Sequence, residues 1–182
     1  AVVDEATQAI EPAILSVAPG AQRNNLIGDP KQLGPVVKEP NNPLSTSLLM
    51  RLLNDNTLPM PMLAVQHRMN RNIQALVDPV YGGALSPHAS VAEHLLSDLE
   101  GVEHSELTDR SVLWIDTAGA GFDEARDPLT SSTFNAGEAR VVQLAVGQLI
   151  EAGVDPKSIG VATPYSAQVA HLQELLPAGI EV

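Results

Sequence analysis

The chain opens on Val2-Val3-Asp4-Glu5-Ala6-Thr7-Gln8 and soon reaches Leu26-Ile27-Gly28-Asp29-Pro30-Lys31-Gln32-Leu33-Gly34-Pro35. A short β-branched run ends at Asp4-Glu5. A second apolar stretch, Asn25-Leu26-Ile27, ends at Gly28-Asp29-Pro30, where the glycine and proline mark a sharp exit from a strand. Paired carboxylates and then a glutamine thus stand at the ends of successive buried strands. In open parallel sheets the crevice beyond the carboxyl ends of the strands is where ligands bind. The two stretches therefore point to an α/β fold with its chemistry at one sheet edge.

Adjacent residues at a strand end point to opposite sides, so Asp4 and Glu5 can take different jobs. Mg²⁺ wants oxygen ligands and keeps several waters, which suits an aspartate beside a triphosphate. A neighbouring glutamate can orient or deprotonate an attacking water. Gln32, on a loop at the same edge, can sense the terminal phosphate or that water. Taken alone, an acidic pair is better explained by a helix start, which favours Asp and Glu. A lone Gly-Asp-Pro is only a turn signal. Together the two stretches read as the hydrolytic groups of a nucleoside triphosphatase.

With these residues in view, the chain resembles the superfamily 1 helicases of the Upf type. Asp4-Glu5-Ala6-Thr7-Gln8 looks like helicase motif II, and Gly28-Asp29-Pro30-Lys31-Gln32-Leu33-Gly34-Pro35 looks like motif III. Val65-Gln66-His67-Arg68-Met69 resembles the Gln-Tyr-Arg-Met signature that opens the second RecA-like domain. Ile159 to Gln168, containing Thr163-Pro164-Tyr165-Ser166-Ala167-Gln168, looks like a Thr/Ser-Pro-Tyr-x-x-Gln motif deeper in that domain. Leu85 to Ala92, the nearby His94-Leu95-Leu96 and Asp98-Leu99, and Asp116-Thr117-Ala118-Gly119 are similar to the immunoglobulin-mu-binding-protein branch.

The resemblance implies a RecA-like P-loop NTPase fold, with parallel sheets flanked by helices and both domains incomplete. Residues 1–57 would be the C-terminal part of the first RecA-like domain, and residues 58–182 the N-terminal part of the second. It implies ATP and Mg²⁺ as cofactors, with Asp4 on the metal and Glu5, Gln32 and Arg68 as catalytic residues. Asp4, Gln8, Gly28, Asp29, Gln66 and His67 would bind the nucleotide, and Thr163, Tyr165 and Gln168 the nucleic acid. Single-stranded RNA or DNA is the implied partner, together with the remainder of a helicase chain and no membrane. The implied activity is ATP-driven movement in the 5′-to-3′ direction.

In an assembled helicase Arg68 can reach across an interdomain cleft and neutralise charge on the γ-phosphate; its alternative is a surface ion pair, which contributes little. His67 departs from the family, which usually has tyrosine there to stack near the adenine. Imidazole offers a smaller face, and a packed or exposed histidine without a ligand is an equal reading. Thr163, Tyr165 and Gln168 can grip a strand through hydroxyl, ring and amide groups, or form a strand-to-helix turn with a packed ring. Lys31 and Lys38 read as solvated charges. No Gly-Lys pair occurs in the chain, so the phosphate-wrapping Gly-x-x-x-x-Gly-Lys-Ser/Thr loop is absent. The chain looks like a piece of a larger protein and is expected to be inactive alone.

Composition is compatible with these expectations. With 182 residues, 44% of them hydrophobic, the chain can bury an ordinary core. Strands lacking neighbours would leave sticky sheet edges. Zero cysteines exclude a disulfide framework. No apolar run approaches a membrane span or carries a signal-peptide pattern, so the cytoplasm is the default, with the nucleus as the eukaryotic alternative. A formal charge of -12 argues against nucleic-acid binding by charge alone. Either the basic surface lies in other domains, which suits the resemblance, or the source favours acidic proteins.

Along the chain, punctuation and periodicity give strand, helix, strand, and a helix over Ser45 to Leu53. Pro59-Met60-Pro61 interrupts, since closely spaced prolines forbid a helix. A strand over Met62 to Val65 follows, then a helix from Asn70 to about Val77 and a turn at Gly82-Gly83. His88 to Leu99 is assigned a short helix, and Ser111 to Asp116 reads as a buried strand because apolar and β-branched residues dominate. An acidic, mobile loop comes next. Asn135, with Glu138 three positions on, resembles a capping box opening a helix through Val141, Val142, Leu144, Ala145, Leu149 and Ile150. Ile159 to Ala162 closes the pattern as a strand. Alternation of strands and helices predicts parallel sheets.

Two other functions fit parts of the pattern. A noncatalytic nucleic-acid or protein-binding module would dispense with the phosphate loop. A two-carboxylate Mg²⁺ nuclease would need further acidic ligands, for which Asp29 is the extra candidate.

Overall fold

A computed structural model describes residues 1–39, 41–57 and 59–182. Leu58, first residue of the second expected domain, lies outside the described residues. The chain divides into two compact units, one of residues 1–64 and 78–85, the other of residues 65–77 and 86–182.

In the first unit β1 (Val2–Val3) pairs in parallel with β2 (Asn25–Leu26), Val2 opposite Asn25 and Val3 opposite Leu26. Parallel strands need a crossover, and α1 (Glu11–Val17) supplies it. Pro12 sits in its first turn, where a missing N–H is harmless, and Glu11 faces the positive end of the helix dipole. Helix α2 (Leu48–Asn54) starts later than expected because the buried Ser47 caps it, its hydroxyl accepting from the Met50 amide at 3.2 Å. The preceding Pro43–Ser45 forms a separate 3-10 turn. Ala6, Ile14 and Leu49 form the core, with Val3, Leu26, Leu48 and Leu53 around them.

In the second unit β3 (Val65–Gln66) pairs in parallel with β4 (Ser86–Pro87). The connecting α3 (Arg71–Tyr81), whose residues from Asp78 on belong to the first unit, continues past Val77 and contains Pro79. The proline costs only one hydrogen bond near a helix end, so the helix runs two residues further. It stops in a Schellman motif: the Gly82 amide donates to Pro79, the Gly83 amide to Asp78, and Gly82 has a φ of 63° that glycine adopts without strain. Strands β5 (Ala125–Arg126) and β6 (Thr133–Phe134) make an antiparallel hairpin. Helices α4 (Ala136–Glu151) and α5 (Ser166–Leu175) enclose a core of Ala139, Val146, Leu172 and Leu176.

The mixed α/β architecture with small parallel sheets is as expected, but several elements differ. Ser111 to Asp116 is not a strand, and Trp114 is 86% exposed. No ladder partner lies beside it among the described residues, and apolar content does not replace interstrand hydrogen bonds. Leu113 and Ile115 instead line a shallow groove with Val141, Leu144 and Ala145 of α4. Between His88 and Leu99 only Leu96–Asp98 is helical, as a 3-10 turn. Ile159 to Ala162 shortens to one parallel bridge between Gly160 and Glu181. The strand expected over Met62 to Val65 falls instead on Val65–Gln66. The capping box is half made: Asn135 Oδ1 accepts from the Glu138 amide at 3.0 Å, whereas the Asn135 amide goes to Gln168 and the Glu138 carboxylate to Thr117.

Candidate functional site

In the first unit, β1 delivers Asp4 and Glu5 into a tight turn. Asp4 Oδ1 accepts the Glu5 amide at 2.9 Å, and Glu5 has a φ of 48°. A left-handed conformation costs a non-glycine residue about 1–2 kcal/mol, and such strain concentrates at functional sites. The turn is held from below. Ala6 and Thr7 are buried, the Ala6 amide donates to the Ile27 carbonyl at 2.7 Å, and Gln8 Nε2 donates to Glu5 Oε2 at 3.2 Å. Asp4, Glu5 and Gln8 consequently remain exposed on a fixed backbone.

Gly28 explains how the second loop passes so near. A Cβ there would lie 2.9 Å from the Thr7 nitrogen and 3.0 Å from Leu49 Cδ2. Only a residue without a side chain lets the exit of β2 press against the acidic turn. Asp29 follows, with Oδ1 accepting the Lys31 amide at 2.9 Å and Oδ2 accepting Gln32 Nε2 at 2.9 Å. The same Oδ2 accepts the Tyr81 hydroxyl at 2.5 Å. Partial burial pulls the Asp29 carboxyl upward, yet the bonds from Tyr81, the Lys31 amide and Gln32, with the Lys31 charge, together hold it below its usual value. The bond to Asp29 raises the Tyr81 phenol, as does its burial.

In the second unit Gln66 ends β3 with its side-chain amide fully used. Oε1 accepts the Arg68 and Met69 amides at 2.7 and 2.8 Å, and Nε2 donates to the Met69 carbonyl at 2.7 Å and to Gln74 Oε1 at 2.9 Å. Two acceptances and two donations exhaust an amide, so Gln66 shapes the loop that presents Arg68. Arg68 is exposed, and among the described residues its guanidinium joins no ion pair. One face of His67 stacks on His88, ring centroids 4.2 Å apart and planes 25° from parallel.

The Thr163-Pro164-Tyr165 loop divides its residues. Tyr165 is 52% exposed and Thr163 half-buried, whereas Gln168 is buried, its amide bridging the Asn135 N–H at 2.7 Å and C=O at 3.2 Å. The first unit thus holds Asp4, Glu5, Gln8, Gly28, Asp29 and Gln32; the second holds Gln66, His67, Arg68, Thr163, Tyr165 and Gln168. Sequence reasoning missed Tyr81 and Gln74. Gln74 left a trace, a glutamine on the apolar side of a helix beside Ile73 and Val77, and it is buried. Tyr81 left none.

An AAA domain model matches residues 44–181, and a second AAA domain model matches residues 1–40. The chain belongs to the superfamily 1 helicases of the Upf type. Among relatives of this helicase family, DNA-binding protein SMUBP-2 of Rattus norvegicus is 41% identical over 96% of the chain and 18% of that protein. DNA polymerase alpha-associated DNA helicase A of Schizosaccharomyces pombe is 36% identical over 100% of the chain and 28% of its own length. The ATP-dependent helicase MJ0104 of Methanocaldococcus jannaschii is 31% identical over 96% of the chain and 26% of its own. The chain therefore spans only 18% to 28% of the length of these relatives. No described helix is long and apolar enough to cross a membrane.

Proposed function

We propose that this segment carries the water-activating and arginine-bearing part of an ATP-dependent helicase that moves 5′ to 3′ along single-stranded RNA or DNA. Residues 1–57 belong in this reading to its first RecA-like domain and residues 58–182 to its second. The observation that carries the proposal is the acidic turn: two exposed carboxylates on strained backbone, pressed by Gly28 against the loop that bears Gln32. A solvated acidic pair has no need of that construction.

The donor set fits Mg²⁺. Asp4 uses one oxygen on the Glu5 amide and has a second for a hard cation that keeps most of its waters. Bound there with ATP, the ion would neutralise phosphate charge. Glu5, accepting from Gln8, takes a proton from the attacking water, and Gln32 orients that water. Arg68, displayed by the saturated Gln66 amide, supplies positive charge where the γ-phosphoryl develops negative charge. Gln8, Gly28, Asp29 and His67 shape the nucleotide's surroundings, and Gln66 does so by holding backbone; Gln168, of the nucleic-acid set, holds the Asn135 backbone. Tyr165 offers a ring on which a base can stack, with Thr163 beside it.

Turnover of ATP by the intact protein, stimulated by single-stranded nucleic acid, tests the reading. Glu5→Gln should lower kcat by about 10²-fold or more, the usual contribution of a general base. Unchanged turnover would remove Glu5 from the chemistry and favour a noncatalytic binding module.

A further inference from the structure

Tyr81 is the last residue of α3, and the Schellman turn after it ends the helix with the phenol beside the Gly28–Pro35 loop of the same unit. Its hydroxyl and the Gln32 side chain converge on one oxygen, Asp29 Oδ2. An ionised carboxylate only accepts hydrogen bonds, so Gln32 must turn its NH₂ group toward Asp29. The amide is planar, and its carbonyl Oε1 therefore faces away from the carboxylate. That orientation has a chemical consequence. A water aimed at phosphorus gives its protons to acceptors, and an amide oxygen is one whereas an NH₂ group is not.

We propose that Asp29 and Tyr81 are positioning residues which hold Gln32 by its Nε2 so that Oε1 is presented to the attacking water. The inference rests on the ATPase reading above and deepens it. Gln32 is exposed, and an unheld glutamine has several rotamers and two amide orientations of which only a fraction is productive. Asp29 chooses the orientation. Tyr81 holds Asp29, which the adjacent Lys31 amide steadies through Oδ1. A low carboxyl pKa keeps the acceptor ionised at neutral pH. No part of this depends on Tyr81 touching nucleotide.

The test is a double-mutant cycle in the intact protein, with ATP as substrate and a single-stranded oligonucleotide as activator. Tyr81→Phe should lower kcat about tenfold through misplacement of Gln32, leave KM for ATP within about twofold, and have almost no effect in a Gln32→Ala background. Asp29→Asn, which can accept at one oxygen only, should show the same non-additivity and covers the event that Tyr81→Phe folds poorly. If Glu5→Gln retains turnover, the ATPase reading fails. If Glu5→Gln and Gln32→Ala both lose turnover while Tyr81→Phe and Asp29→Asn keep full kcat, or if their losses multiply with that of Gln32→Ala, the ATPase reading stands and the positioning proposal is overturned.

Discussion

The side-chain amide of Gln66 donates to Oε1 of Gln74 at 2.9 Å, tying the last residue of β3 to the first turn of α3. The remaining three bonds of Gln66 go to the backbone of Arg68 and Met69, so the loop bearing the exposed arginine is built around one side chain. Gln66→Leu keeps the volume and deletes all four bonds. It should destabilise the protein by about 1–3 kcal/mol, the cost of leaving partly buried partners unmet. Urea denaturation measures that loss, and ATP turnover should fall roughly 10–100-fold if Arg68 is displaced from its working position.

Gly28→Ala tests the close passage of the two loops. The new Cβ would fall 2.9 Å from a backbone nitrogen and 3.0 Å from a core leucine, which must shift. A loss of about 1–3 kcal/mol is expected from overpacking. At Gly20 a Cβ meets nothing within 4 Å, so Gly20→Ala should stay within about 0.5 kcal/mol of wild type. Equal urea midpoints for the two variants would mean that Thr7 and Leu49 yield freely.

Protonation of Asp29 should couple to stability with a defined sign. Its folded-state pKa lies below the usual value, so its contribution is present above the unfolded pKa and is lost as pH falls through the folded one. Tyr81 has the opposite sense: its pKa is raised, so its contribution is present below the unfolded value and is lost as pH climbs through the folded one. The stability difference between wild type and Asp29→Asn should therefore be flat near neutrality and shrink at both acid and strongly alkaline pH. Denaturant midpoints measured across that range give the profile, and a difference independent of pH would contradict it.

Gln168 and Tyr165, three residues apart, should separate stability from binding. Gln168→Leu strands the N–H and C=O of Asn135 in a buried position and should cost about 1–3 kcal/mol in stability. Tyr165→Ala removes an exposed ring and should leave the denaturation midpoint nearly unchanged. If bases stack on it, affinity for an oligonucleotide should weaken by about 1–3 kcal/mol, read as fluorescence anisotropy. Oligonucleotide affinity unaltered by Tyr165→Ala would count against that contact.

Local chemistry alone settled much of this protein. The runs at Val2–Val3 and Asn25–Leu26, the exit at Gly28-Asp29-Pro30 and the cap at Asn135 were legible because each acts on dihedrals or amides within a few residues. The alternation of such signals also settled the parallel pairing, since a helix between strands is what carries the chain back to the same edge. Tertiary structure alone decided the rest. Ser111 to Asp116 has the composition of a buried strand, but strand formation needs a partner backbone, which composition does not specify. The bonds of Tyr81 to Asp29 and Asn135 to Gln168 join groups 52 and 33 residues apart. Which donor reaches which acceptor over such separations depends on how helices pack against loops. The residue types of the candidate site could thus be nominated from the chain, whereas the hydrogen bonds that hold Gln32 and the Arg68 backbone emerged only once it was folded.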